Sequence, residues 1–144
     1  MKLKDEAATL SFGRRLAKAL RAGDVVTLSG PLSAGKTTLV RGLLGALGHR
    51  GEVPSPSFAV VQPYEELQPA LWHVDLYRIE NSTELEELGL EDIKADGVLI
   101  VEWPEHAPGA WPEALALSIK VAEDGTRALT ATVPPSWEGR WPLR

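Results

Sequence analysis

The sequence predicts an α/β fold from three features. A short β-branched run, Asp24-Val25-Val26-Thr27-Leu28-Ser29, enters a glycine-rich loop and then a segment of helical periodicity. Val98-Leu99-Ile100-Val101 is a continuous apolar run, the pattern of an inner strand buried on both faces. Ala114 to Val121 and Arg127 to Val133 flank Glu123-Asp124-Gly125-Thr126, which reads as a C-terminal antiparallel hairpin.

Taken in order, Met1 to Lys4 lead directly into a helix over about Asp5 to Arg21. Leu10, Phe12, Leu16, Ala17 and Leu20 form its apolar face, and Gly23 ends it. The strand at 24–29 follows. A second helix runs from Lys36 to Leu47, with Leu39, Leu43 and Leu47 on one face, Val40 and Leu44 beside them, and Gly48 as the stop. Gly51 to Ser57 is a loop stiffened by two prolines. Phe58-Ala59-Val60-Val61 reads as a strand, and Pro63 with Glu65-Glu66 as a connection. Leu71-Trp72-His73-Val74 is a further strand. Asn81-Ser82-Thr83-Glu84 has the form of a capping box opening a short acidic helix through Leu88, which Gly89 ends. Pro134-Pro135 closes the hairpin, and the residues after it are expected to fray.

The chemistry lies in the loop. Gly30 to Thr37 read G-P-L-S-A-G-K-T, the G-x-x-x-x-G-K-[ST] pattern of a phosphate-binding P-loop, in the strand–loop–helix context that the motif requires. Backbone N–H groups of Leu32, Ser33, Ala34 and Gly35 would wrap the phosphates at the helix N-terminus, where unpaired N–H groups and the helix dipole favour anions. Lys36 would reach the β- and γ-phosphates, and the Thr37 hydroxyl would sit on Mg²⁺.

Composition narrows the setting. The chain of 144 residues suits one domain, 1–144, with 44% hydrophobic residues to build a core. It leaves little room for a separate substrate lid. No stretch approaches the roughly 18 consecutive apolar residues of a membrane span. No charged-then-apolar signal opens the sequence, so a cytoplasmic protein is expected. With no cysteines, disulfides and thiolate metal sites are excluded. A formal net charge of −5 argues against strong nucleic-acid binding by this chain alone. Arg14, Arg15, Lys18 and Arg21 share the first helix, where a solvated face accounts for them.

Hydrolysis or transfer also needs an acid near the metal and a group that orients the nucleophile. Two apolar runs end in a carboxylate, Leu71 to Asp75 and Val98 to Glu102. In parallel α/β sheets the ligand lies outside the carboxyl ends of the strands, so both acids are candidates to face the loop. The residues alone do not say which of them acts on water. His73 in a strand reads as a hydrogen-bonded structural residue. Arg78 either contacts phosphate or pairs with Asp75, and Trp103 either packs in the core or covers the nucleotide. Without N-K-x-D or D-x-x-G, the GTPase class recedes. An ATPase that drives a partner complex, a small-molecule kinase and a non-catalytic nucleotide-binding module remain.

Further segments carry a resemblance. Ser33 to Gly42 (S-A-G-K-T-T-L-V-R-G), Ser55 to Phe58 (S-P-S-F), His73 to Arg78 (H-V-D-L-Y-R), Glu84 to Gly89 (E-L-E-E-L-G) and Val101 to Glu105 (V-E-W-P-E) resemble the TsaE family, P-loop ATPases of bacterial tRNA threonylcarbamoyladenosine biosynthesis. H-x-D-L-Y-R followed by E-W-P is the distinctive combination. The resemblance implies a P-loop NTPase three-layer sandwich with a mostly parallel central sheet. It implies Mg²⁺-dependent ATP hydrolysis, weak in isolation, in support of TsaD- and TsaB-type partners. These place a threonylcarbamoyl group on adenosine 37 of tRNAs reading ANN codons, so tRNA is an indirect partner.

Residue by residue, the resemblance assigns Thr38 to the α-phosphate and Glu102 to Mg²⁺, directly or through water. It makes Asp75 the required acid and Trp103 the tryptophan beside the site. Ser55 to Phe58 becomes a segment that senses the γ-phosphate, and Thr9 and the Gly125-Thr126-Arg127 turn approach the base. Pro31, Ser33 and Ser57 depart from the family pattern, which usually has an acid, a glycine and a threonine at these positions.

Overall fold

The computed structural model describes residues 1–31, 34–54 and 60–143. The elements run β1 (Lys2–Leu3), α1 (Glu6–Ala19), β2 (Val25–Ser29), α2 (Lys36–Ala46), β3 (Val61–Tyr64), β4 (Leu71–Asp75), α3 (Ser82–Glu87), α4 (Leu90–Asp96), β5 (Val98–Glu102), β6 (Leu115–Val121) and β7 (Arg127–Thr132). The strands form one sheet in the order β1-β7-β6-β2-β5-β4-β3. Its four middle strands, β6, β2, β5 and β4, are mutually parallel. The ladders at both edges are antiparallel. The sheet is therefore parallel at its centre and mixed overall, and the expected C-terminal hairpin forms one of the flanks.

Strand alternation sorts the core into two layers. Val26 and Leu28 of β2, Val98 and Ile100 of β5, and Leu115, Leu117 and Ile119 of β6 face α1 and α2, where Phe12, Leu16, Leu39 and Leu43 meet them. Val25, Leu99, Val101 and Val74 face the other way, onto Leu76, Leu90, Ala107 and Ala114. Helices thus cover both faces. Among the described residues, no helix is long and apolar enough to cross a membrane.

Four expectations change. The strand placed at 58–61 forms at Val61–Tyr64 instead, with Phe58 and Ala59 outside the described residues. Pro63 does not break it, because β3 is an edge strand whose Pro63 lies opposite Trp72, and an edge position tolerates the missing N–H. Gly89 ends α3 but also opens α4, which the sequence reading missed: with φ 65°, it turns the chain straight into the next helix. Lys2–Leu3 is a strand on β7, too short for any periodic signal.

The fourth change is the C-terminal segment, which packs rather than frays. Trp137 is buried, and Arg140 clasps both Asp24 carboxylate oxygens at 2.7 and 3.1 Å while lying 4.0 Å over the Trp137 ring.

α1 begins with Asp5 capping the Ala8 N–H at 2.8 Å and then crosses α2 at backbone contact. A Cβ on Gly13 would stand 2.2 Å from the Leu39 carbonyl oxygen, and one on Gly42 2.3 Å from that of Leu10. Gly13→Ala and Gly42→Ala are each expected to destabilise the fold by about 1–3 kcal/mol or more, since backbone cannot give way as a side chain can. Gly45→Ala, on the exposed face of α2 with open space around it, should instead stabilise by about 0.5–1 kcal/mol. Denaturant unfolding of the three variants checks the contrast, and equal effects at all three positions would contradict it.

Candidate active site

The loop after β2 is shaped by what its glycines allow. A Cβ at Gly30 would lie 2.6 Å from the Ile119 carbonyl oxygen. Gly35 is the N-cap of α2 at φ 107°, a conformation that disfavours other residues, and it supplies no capping side chain. Among the described residues no side chain caps the first N–H groups of α2, which begins at the mouth of a cavity of about 440 Å³. Lys36 is 5% exposed, with Nζ donating to the Gly30 carbonyl at 2.7 Å. The same Nζ lies 4.0 Å from Glu102 Oε1 and 4.0 Å from the centre of the Trp103 ring.

The two acids arrive on neighbouring parallel strands. Asp75 is the register partner of Glu102 at the carboxyl ends of β4 and β5. Because Val74 and Val101 point to the α3–α4 layer, strand alternation turns both carboxylates to the α1–α2 side, toward the start of α2. Both are buried. Glu102 Oε2 lies 2.6 Å from His73 Nε2, and Asp75 Oδ1 accepts the Tyr77 N–H at 2.8 Å. Burial pushes the Asp75 carboxyl above its ordinary pKa and the Glu102 charge adds to this, while the Tyr77 N–H, His73 and Lys36 pull it down.

Trp103 follows Glu102 at φ 58°, which swings its ring over Lys36 with Tyr77 5.0 Å away. From the far side, Arg127 Nε donates to the Ala34 carbonyl at 2.9 Å.

Of the residues singled out in the sequence, Thr9, Gly35, Lys36, Thr37, Thr38, Asp75, Glu102, Trp103 and Arg127 all line this cavity. Ala34 lies in the core behind it. Leu32, Ser33 and the Ser55-to-Phe58 segment lie outside the described residues. Asp5, Glu6 and Tyr77 also line the cavity and were missed. Tyr77 had a signal, standing two residues beyond Asp75. Asp5 and Glu6 had none, because only the crossing of α1 over α2 brings them there.

The sequence profile of "Threonylcarbamoyl adenosine biosynthesis protein TsaE" matches residues 3–129. The chain belongs to the TsaE family. TsaE proteins similar to it include those of Streptomyces coelicolor, 53% identical over 65% of this chain and 66% of that protein, and Haemophilus influenzae, 39% identical over 78% and 75%. The TsaE of Treponema pallidum is 34% identical over 85% and 91%. The crystal structure of Bacillus subtilis YdiB superposes with a TM-score of 0.81 at 30% identity, covering 94% of this chain and 85% of that one. The match to the TsaE profile ends within β7, so the Arg140 clasp lies beyond it.

Asp75 holds its proton more tightly in the folded chain than in the unfolded one. Stability is therefore lost as pH rises from the ordinary Asp value through the raised one, and the loss persists at neutral pH. Asp75→Asn keeps an oxygen for the Tyr77 N–H and removes the charge. The variant should melt above the parent protein at neutral pH, with the difference vanishing below about pH 3.9, where Asp is protonated in both states. A lower melting temperature at neutral pH would contradict this.

Proposed function

We propose that this single-domain chain is the Mg²⁺-dependent ATP-binding and ATP-hydrolysing subunit that supports threonylcarbamoyl modification of adenosine 37 in tRNAs reading ANN codons. It acts in the cytoplasm with TsaD- and TsaB-type proteins, with tRNA as an indirect partner. Membership of the TsaE family supports the pathway. The observation that carries the chemistry is the convergence of Lys36, Asp75 and Glu102 on the N-terminus of α2.

The residues fit nucleotide phosphates and a hydrated metal. The Gly30 and Gly35 backbone forms a cradle that Cβ atoms would fill or strain. Two buried carboxylates side by side favour a cation between them and the phosphates. Among the described residues no cluster of three or more His, Asp or Glu side chains stands ready to hold a metal. Mg²⁺ needs none, since it keeps several waters and takes one or two protein ligands beside substrate phosphates. Thr37 and Glu102 would hold it, and when bound it would neutralise charge on the β- and γ-phosphates.

The chain's own groups do the rest. The N–H groups at the start of α2 bind the phosphates, and Lys36 exchanges the Gly30 carbonyl for phosphate oxygens. Thr38 takes the α-phosphate. Asp75, its carboxyl pushed up by burial, accepts a hydrogen bond from the attacking water and orients it. Trp103 shields Lys36 from solvent, and Thr9 and Arg127 border the nucleoside. Lys36 Nζ meets the Gly30 carbonyl, the Trp103 ring and Glu102 at the mouth of the site.

Lys36→Ala is expected to lower turnover about 100-fold or more, the scale for losing one preorganised donor, and Glu102→Ala to shift the Mg²⁺ dependence to higher concentration. Steady-state hydrolysis assays over a Mg²⁺ series check both, and unchanged turnover in both variants would remove the assigned site. Deleting the gene should abolish threonylcarbamoyladenosine in tRNA, measured by nucleoside mass spectrometry. Normal levels with no substitute ATPase present would reject the pathway assignment.

A further inference from the structure

His73 sits where packing alone would place an aliphatic residue. Its side chain points into the α1–α2 layer between Leu71 and Asp75 of the same strand, opposite Ile100 on β5. It is fully buried. Among the described residues, its Nδ1 has no hydrogen-bond partner. An imidazole with one nitrogen unmatched is a poor filler for a core, because a buried polar atom loses its water and regains nothing. Its other nitrogen is spent on one group only, Glu102 Oε2 at 2.6 Å.

We propose that His73 is a positioning residue that ties one oxygen of the Glu102 carboxylate to the core, so that only Oε1 is presented to the metal side of the cavity. The proposal rests on the reading of Glu102 as the acid that holds Mg²⁺. The proton of the short bond belongs on Nε2. A proton on Nδ1 would create a buried donor with no acceptor, whereas a bare Nδ1 leaves only a lone pair unmatched. Glu102 is thereby the acceptor. The bond also limits the approach of Glu102 to Lys36, now 4.0 Å away. Released from His73, the carboxylate would close on the Lys36 ammonium and compete with phosphate for it. A hydrogen bond that orients a metal-binding side chain commonly governs metal affinity without touching the metal.

The test uses the full chain with a non-hydrolysable ATP analogue and Mn²⁺ as the probe, free Mn²⁺ being read by electron paramagnetic resonance. Gln carries an amide N–H near the position of Nε2, and Asn does not reach it. His73→Gln should therefore retain Mn²⁺ affinity, while His73→Asn and His73→Leu weaken it about tenfold or more, the scale for loss of such a bond. Equal affinities for the Gln and Asn variants would overturn the proposal.

Independently of any variant, nitrogen-15 NMR of the parent protein should show the His73 proton on Nε2 and a bare Nδ1. A bare Nε2 would overturn it too. Glu102→Ala separates the two readings. If it binds Mn²⁺ normally, Glu102 is not a ligand and both fall. If it weakens binding while the Asn and Leu variants do not, only the role of His73 falls.

Discussion

Asp75 and Glu102 end adjacent parallel strands and turn to the same face, which forces two carboxylates into one buried corner of the protein. Such a pair is unstable unless opposite charge or hydrogen bonds answer it. Much of the surrounding architecture supplies that answer. Lys36 stands 4.0 Å from Glu102, His73 binds its second oxygen, and the Tyr77 N–H binds Asp75. The compensation is incomplete, since burial and the Glu102 charge still hold the Asp75 carboxyl above its ordinary range. A corner with surplus negative charge beside a helix N-terminus that attracts anions can take a metal and a phosphate together, each neutralising what the other would find repulsive.

The same corner needs a rigid floor and walls. The floor is the approach of α1 to α2 at Gly13 and Gly42, close enough for side-chain-free backbone to touch. That crossing carries Asp5, Glu6 and Thr9 to the cavity rim, and Arg127 reaches from β7 to the Ala34 carbonyl behind the loop. The left-handed turn at Trp103 provides a lid by a local route, rotating one ring over Lys36 without any inserted segment.

Local patterns were readable wherever a local cause dominated. β2, α2 and β5 stand close to their sequence positions because β-branched runs, helical periodicity and the loop motif agree with one another there. Errors gathered where context outweighed pattern. Pro63 is tolerated because β3 happens to be an edge. Gly89 starts a helix as well as ending one. The residues after Pro135 are held by Asp24, more than a hundred positions away in sequence. His73 was legible only as a structural histidine, since its bond to Glu102 crosses between strands.

The sequence by itself determined the G-x-x-x-x-G-K-[ST] motif, the α/β class, the two strand-end carboxylates and the family, because each is written in contiguous residues whose spacing carries the pattern. Only the tertiary structure decided that the acids are register partners on one face, that Lys36 rests against Gly30, Glu102 and Trp103, and that His73 Nε2 lies 2.6 Å from Glu102 Oε2. The reason is geometric. Strand order and register join segments far apart in the chain, and no single segment encodes the neighbour beside which it will lie.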